Sequence, residues 1–369
     1  MRIGVITFHA SHNYGSMLQA WALQTYLEKS GHSVEIINFR SRIQRSIYHK
    51  PISICRGDVA LASIKRILLF SQSIKPLYKK WHLFENFLVD ELKISEVFHT
   101  IDDLATLNDR YDLLICGSDQ IWNTNAPDSG EAYYGNWFKG DKISYAASLG
   151  QEPEHCSISF LEQQIKGFIA IACREERSLD FLVNHGIVNE GHVVCDPTLL
   201  LDAQDYNSLL SDEPLIKSDY VFFYTPVGLP YDYFKIASDL GKELGCQVIT
   251  EKAYYPKDIK QYSNISTYIP TGPKEFLNLI RHAKCVCGGS FHLQVFSILF
   301  QKDFYCINGD KDSRTNHLLN LLGLQDRIVS LSNPDLRAPL HISFKDDNRL
   351  ALQQYRKESV EYLNQYLYE

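Results

Sequence analysis

The stretch Gly288-Gly289-Ser290-Phe291-His292 most constrains what this chain can fold into. It sits between an apolar run at Ala283, Cys285, Val286 and Cys287 and a second one from Leu293 to Phe300. That order reads as strand, tight glycine turn and helix. A histidine is thereby presented at the mouth of an α/β unit, beside a helix N-terminus. Such a position suits a group that transfers protons next to an anion. Taken alone, the motif suits equally well a histidine that caps the helix or packs beneath it.

The same grammar recurs along the chain. Arg2 to Phe8 reads as a strand, His9 to Ser16 as a polar turn, Met17 to Ser30 as a helix closed by Gly31, and Val34 to Phe39 as a strand. Together they make a βαβ unit. Further strands are predicted at Tyr111–Cys116, Lys142–Tyr145, Phe168–Cys173 and Val193–Cys195, with helices over 157–167 and 178–184. A break rich in Asp, Ser and Pro follows at 202–218. The pattern then restarts with strands at Tyr220–Thr225, Gln247–Thr250, Cys285–Cys287 and Phe304–Ile307. Helices over 231–244, 274–282, 293–300 and 314–322 accompany them. The expected fold is α/β, with two doubly wound Rossmann-like domains facing a central cleft. Residues 1–205 are expected to form the N-terminal domain and 206–335 the C-terminal one. Within 336–369 a helix packs back on the first domain. Ligands bind at the carboxyl ends of the strands of such sheets, so the polar turns should face one cleft.

A chain of 369 residues, 45% apolar and 22% charged, has ample core material for two such domains. Its net charge of −7 disfavours a nucleic-acid-binding surface. The nine cysteines lie mostly in apolar runs, with no Cys-x-x-Cys pair, which argues against zinc or a disulfide framework and fits a reducing cytosol. His9 and His12 lack a third ligand, so no metal site is expected. Neither a signal peptide nor a membrane span is visible, and a cytoplasmic location is expected. The exception to the acidic balance is an insert over 41–105, preceded by Arg40. It carries Arg42, Arg45, His49, Lys50, Arg56, Lys65, Arg66, Lys75, Lys79 and Lys80 among apolar and aromatic residues. A solvated face is the simpler reading. The other is peripheral contact with an anionic inner-membrane surface or a pyrophosphate-linked acceptor.

Six motifs in order carry a resemblance. They are Asn13-Tyr14-Gly15-Ser16-Met17-Leu18-Gln19, Gly117-Ser118-Asp119-Gln120-Ile121-Trp122-Asn123 and Tyr145-Ala146-Ala147-Ser148-Leu149-Gly150. Arg174-Glu175-Glu176-Arg177-Ser178, Asp196-Pro197-Thr198-Leu199-Leu200 and Ser290-Phe291-His292 complete them. Over roughly residues 3–330 the chain resembles the bacterial polysaccharide pyruvyl transferase family. The resemblance implies a fold similar to the two-domain glycosyltransferases of the GT-B type. It implies transfer of the pyruvyl unit of phosphoenolpyruvate to a sugar of a cell-surface polysaccharide or its lipid-linked precursor. The products are a cyclic pyruvate ketal and phosphate, with no cofactor. The family's phosphoenolpyruvate site falls here on Arg174, His292, and either Lys311 or Arg314. Many members carry arginine where this chain has Ser290, so Ser290 takes that place in the donor site.

On this reading His292 is the acid that protonates the donor methylene carbon. Arg174 grips a carboxylate or phosphate with two parallel hydrogen bonds. Asp119 is the candidate base for the sugar hydroxyl, or else a turn residue. Asn13, Tyr14, Gly15, Ser118 and Trp122 are expected on the acceptor side. For Asn13-Tyr14-Gly15 a plain tight turn competes with that role, and Trp122 either stacks on a sugar or fills the core. Two other functions stay open: a GT-B glycosyltransferase using a nucleotide sugar, and a non-catalytic module on the same fold. The oligomeric state is not fixed by the sequence.

Overall fold

The computed structural model describes residues 1–52, 64, 68, 71–150, 152–154, 157–226, 231–252, 259–307, 309–331 and 345–367. Of the basic insert, Arg56, Lys65 and Arg66 lie outside the described residues, as do Cys55 and Cys156.

Two parallel sheets organise the chain. The first has the order β2 (Ser33–Ile36), β1 (Arg2–Ile6), β3 (Leu113–Cys116), β4 (Lys142–Ser144). Single bridges Ile143↔Ala170 and Ala147↔Cys173 continue it to the short pair β5 (Ala172–Cys173) and β6 (His192–Val193). The second sheet has the order β12 (Ile328–Val329), β11 (Phe304–Ile307), β10 (Cys285–Gly288), β7 (Tyr220–Tyr224), β8 (Gln247–Thr250), β9 (Ile265–Thr267). Strands β1, β3, β7, β10 and β11 are buried almost throughout, because helices cover both faces; hence their continuous apolar runs.

In each sheet the strand order reverses once. The chain leaves β1 toward β2 and then crosses to β3; it leaves β7 toward β8 and β9 and then crosses to β10. The switch points therefore lie between β1 and β3 and between β7 and β10, and a crevice opens beyond the carboxyl ends of those strands.

Helix α1 (Tyr14–Lys29) joins the two halves. It begins three residues before the periodic apolar pattern, because the Asn13 side chain caps it, accepting from Gly15 N and Ser16 N. Its residues from Tyr14 to Gln24 are buried on every side, since it packs against α5 (Pro273–His282) and α6 (Phe291–Leu299) of the second half as well as its own sheet. One continuous core runs across the contact, with Met17 and Leu18 joined to Phe276 and Leu293. Within the insert, α2 (Ile74–Glu91) sends Lys80 to Glu251 at the end of β8, and Arg40 pairs with Glu85 of α2 at 3.3 Å. Part of the basic stretch is thus neutralised internally rather than presented as a solvated face. The last helix, α8 (Asp346–Leu367), returns to the first sheet: Tyr362 donates to Ser144 O at 2.8 Å, and Ser359 Oγ accepts from Cys195 N at 2.8 Å.

Candidate functional site

The loops after the switch-point strands converge on one cavity of about 460 Å³. Ser11 and Asn13 follow β1, Asp119 and Gln120 follow β3, and Gly289 and Ser290 follow β10. The loop after β11 and the start of α7 (Ser313–Leu321) add Lys311, Asp312 and Arg314. The size is in the range of small-molecule sites, and both halves of the chain contribute walls.

His292 occupies the first turn of α6, whose cap Ser290 makes no side-chain capping bond. The backbone N–H groups at that helix start therefore remain available to an anion. The imidazole is held from two sides. Its Nδ1 edge lies on the backbone of Gly15: a Cβ built there would fall 1.9 Å from Nδ1. Gly15 has a reason for being glycine other than turn geometry, namely this close approach. On the other side His292 Nε2 lies 3.4 Å from Asp196 Oδ2.

Asp196 is buried at the exit of β6. Its Oδ2 accepts from Arg174 Nη1 at 2.9 Å and is approached by Ser118 Oγ at 3.4 Å. Its Oδ1 accepts from Thr198 N at 3.0 Å and Thr198 Oγ1 at 2.6 Å. Burial pushes this carboxyl up, but His292, then Arg174 and Thr198, outweigh it and hold Asp196 well below the ordinary carboxylate range. Asp119, at φ +78°, accepts from Ser16 Oγ at 2.5 Å and from Gln120 N at 2.8 Å. Burial raises its carboxyl, and Arg174, His292, Ser16 and Arg314 together lower it further than burial raises it. Arg314 grips Asp312 through Nε at 2.9 Å and Nη2 at 2.7 Å. Burial works against the Arg314 charge, but Asp312 more than compensates and holds it firmly protonated. Lys311 is exposed at the rim.

Of the residues singled out in the sequence, Asn13, Asp119, Ser290, His292, Lys311 and Arg314 line the cavity together. Five do not open to it. Trp122 is fully buried, stacked parallel to Tyr134 with centroids 5.8 Å apart; it fills the core and is corrected from a sugar platform. Tyr14 stacks on Phe276 at 4.4 Å and donates to Glu251 Oε2 at 2.8 Å, which makes it a strut between the halves rather than an acceptor ligand. Ser118 is buried against Asp196 and donates to Ala146 O at 3.0 Å. Arg174, expected to grip the donor directly, lies one layer behind the wall. Its guanidinium is 2% exposed, 5.0 Å from the Phe291 ring centre, and bound to Asp196. Gly15 abuts His292 instead of lining an acceptor pocket.

Sequence reasoning gave Asp196 a structural role and passed over Asp312. Asp196-Pro197-Thr198 reads as a strand stop, and the Thr198 contacts show that it is one, but its second carboxylate oxygen faces the imidazole. Among the described residues no group of three or more His, Cys, Asp or Glu side chains is arranged to hold a metal ion. His9 is instead bonded to Asn38 Oδ1 at 3.0 Å, and His12 to Glu85 at 2.9 Å. No helix among those residues is long and apolar enough to cross a membrane.

A family model described as Polysaccharide pyruvyl transferase matches residues 13–311, which span both halves of the cavity. The chain belongs to that family. Similar solved structures carry the fold further. A Listeria monocytogenes protein assigned as a UDP-N-acetylglucosamine 2-epimerase is 9% identical with a TM-score of 0.52; the match covers 97% of this chain and 89% of that one. The S. aureus MnaA–UDP co-structure is 11% identical with a TM-score of 0.51, over 97% and 87% of the two chains. At such identity the likeness speaks for architecture alone: the fold is α/β and GT-B-like. A comparison with curated proteins found no match.

Proposed function

We propose that this protein transfers the pyruvyl unit of phosphoenolpyruvate to a sugar of a cell-surface polysaccharide or its lipid-linked precursor, forming a cyclic ketal and releasing phosphate. Family membership supports a transferase acting on polysaccharides. The observation that carries the finer reading is the shared lining of the cavity: the second half contributes His292, the free start of α6, Lys311 and Arg314, and the first half contributes Asp119.

Phosphoenolpyruvate bears a carboxylate and a phosphate, close to three negative charges at neutral pH. Cationic side chains and helix N–H groups on one wall are the complement to such a donor. Protonated His292 gives its proton to C3, and positive charge develops at C2. A sugar hydroxyl attacks C2, forming a C–O bond, and its proton passes to Asp119. The C2–O bond to phosphate then breaks, and the departing phosphate takes up the proton held by Asp119. Attack by a second hydroxyl closes the ketal, and its proton restores the acid. No cofactor is needed, because no electrons change hands. The reading places the reaction in the cytoplasm, with the remaining exposed lysines of the insert available to a membrane surface carrying the acceptor.

The test is a thermal-shift series with phosphoenolpyruvate, UDP-sugars and GDP-sugars, followed by phosphate release on a panel of glycan acceptors. Stabilisation by phosphoenolpyruvate, with release lost in His292→Ala while donor binding persists, is the expected result. Stabilisation by a nucleotide sugar alone overturns the proposal in favour of a glycosyltransferase. Donor binding with no turnover on any acceptor overturns it in favour of a non-catalytic module.

A further inference from the structure

We propose that Asp196 is the positioning residue of His292: it holds Nε2–H and so leaves Nδ1 as the nitrogen that passes a proton to substrate. This rests on the reaction proposed above. Three observations on the ring and its surroundings carry it. The Nε2 atom is buried, has no hydrogen-bond partner at full geometry, and points at Asp196 Oδ2 from 3.4 Å. Such loosely made contacts in catalytic pairs tighten when the ligand is bound. Asp196 has no freedom to turn away, since Thr198 holds its Oδ1 through both a backbone N–H and a hydroxyl. On the opposite edge the Gly15 backbone confines the ring from the Nδ1 side.

The carboxylate is also held in its charged form whatever the imidazole does. Arg174 Nη1 binds the same Oδ2 at 2.9 Å, and arginine stays protonated at any pH of interest. Asp196 therefore accepts from Nε2 in both states of the ring. With Nε2–H fixed, the neutral ring has its lone pair on Nδ1 and the charged ring its mobile proton there. This is the division of labour of an imidazole oriented by a buried carboxylate. The role of Arg174 becomes intelligible too. It lies too deep to line the cavity, yet it fixes the group that fixes the acid.

The charged groups gathered at this site are Asp196 before residues 197–199, Asp119 after β3, Arg174 after β5, and Lys311, Asp312 and Arg314 leading into α7. Of these, Asp196 is the carboxylate nearest Nε2. Asp196→Asn removes one negative charge and can turn its NH₂ toward the ring, which favours the other tautomer. We expect the ¹⁵N resonances of His292, assigned by their loss in His292→Gln, to report Nε2–H in the neutral ring of the wild type and a shift toward Nδ1–H in Asp196→Asn. Phosphate release from phosphoenolpyruvate should fall on the order of 100-fold in kcat, with the donor KM changed little.

Should Asp196→Asn unfold because Arg174 is left unpaired, Thr198→Val keeps the carboxylate and the Arg174 pair while releasing one restraint on Oδ1. It should reproduce the tautomer shift and the kcat loss in smaller measure. An unchanged ¹⁵N spectrum and kcat in a folded variant overturns the positioning role and leaves the pyruvyl-transfer reading standing. Nε2–H held by Asp196 in a protein that does not bind phosphoenolpyruvate supports the positioning and overturns the reaction. A further loss of rate when Asp196→Asn is added to His292→Ala also overturns it, because a residue acting through the imidazole has nothing left to act on.

Discussion

Gly15→Ala separates the fit of the imidazole from the stability of the fold. The added methyl lands 1.9 Å from His292 Nδ1, 2.3 Å from Cγ and 2.5 Å from Cε1. An ordinary carbon contact begins near 3.5 Å, so the ring must retreat by about 1.5 Å. The backbone of α1 cannot yield, because Tyr14 on one side is pinned to Phe276 and Glu251, and Asn13 caps the first turn. Retreat therefore falls to the ring, and because Asp196 stands 3.4 Å beyond Nε2 the imidazole must rotate out of its pose rather than slide. Stability changes little: alanine gains up to about 1 kcal/mol in a helix over glycine, and overpacking costs about 1–3 kcal/mol. The melting temperature should move by only a few degrees. Activity should respond far more, since a misplaced proton donor forfeits much of the 10²–10⁴-fold that a positioned one supplies. The assay is phosphate release from phosphoenolpyruvate with a glycan acceptor, read beside the melting curve and the donor Kd. A folded Gly15→Ala protein turning over within about threefold of wild type refutes the claim that the His292 pose matters.

Two further outcomes follow from the charges. Asp312→Asn removes the carboxylate that occupies the Arg314 fork at 2.9 and 2.7 Å, so phosphoenolpyruvate should bind more tightly, by about tenfold for a freed arginine at a half-open site; calorimetry giving equal or weaker binding counts against Arg314 as a donor ligand. His9 is buried, and burial lowers its imidazole from 6.5 to about 4 despite its bond to Asn38. The unfolded chain takes up that proton first, so this contribution to stability is present above pH 6.5 and is lost as pH falls toward 4, by up to about 3 kcal/mol. Urea midpoints of wild type and His9→Gln should converge over that interval, and parallel curves count against a neutral buried His9.

Much of the fold is legible from the sequence because buried parallel strands are written as short apolar runs. Tyr220–Tyr224 and Phe304–Ile307 end where polar residues begin. The pieces not legible there have two causes, packing against a neighbouring element and shortness. Helix α1 carries no one-sided stripe because the second half covers the face that would otherwise be wet. Tyr14 and Trp122 both follow a strand's carboxyl end, which suggests the cleft, yet side-chain direction there depends on what packs alongside: Phe276 for one and Tyr134 for the other. Strands β9 and β12, at the two edges of the second sheet, are three and two residues long, too short for any periodicity to show. Asp196 is the instructive case. Its turn role is local and readable, while its contact with His292 exists only because β6 and α6 meet across the two halves.

The distribution of charge around the cavity limits how a donor can be held. Arg174 is committed to Asp196 and lies 3.6 Å from Asp119; Arg314 is committed to Asp312. Both guanidinium groups flank Phe291, at 5.0 and 5.6 Å from its ring centre. Paired arginines of this kind are fixed in place before any ligand arrives, which suits orientation. They do not, by themselves, supply free positive charge. The net attraction for a multiply charged anion must then come from groups without a carboxylate of their own. Lys311 has no ion pair among the described residues, and the start of α6 offers N–H groups with no capping side chain. Ser290, standing where an arginine would add another cation, leaves that N–H surface uncovered. On the proposed reading the donor is then held by a helix start and Lys311 rather than by a permanently charged fork, which leaves His292 to its part in the proton transfer.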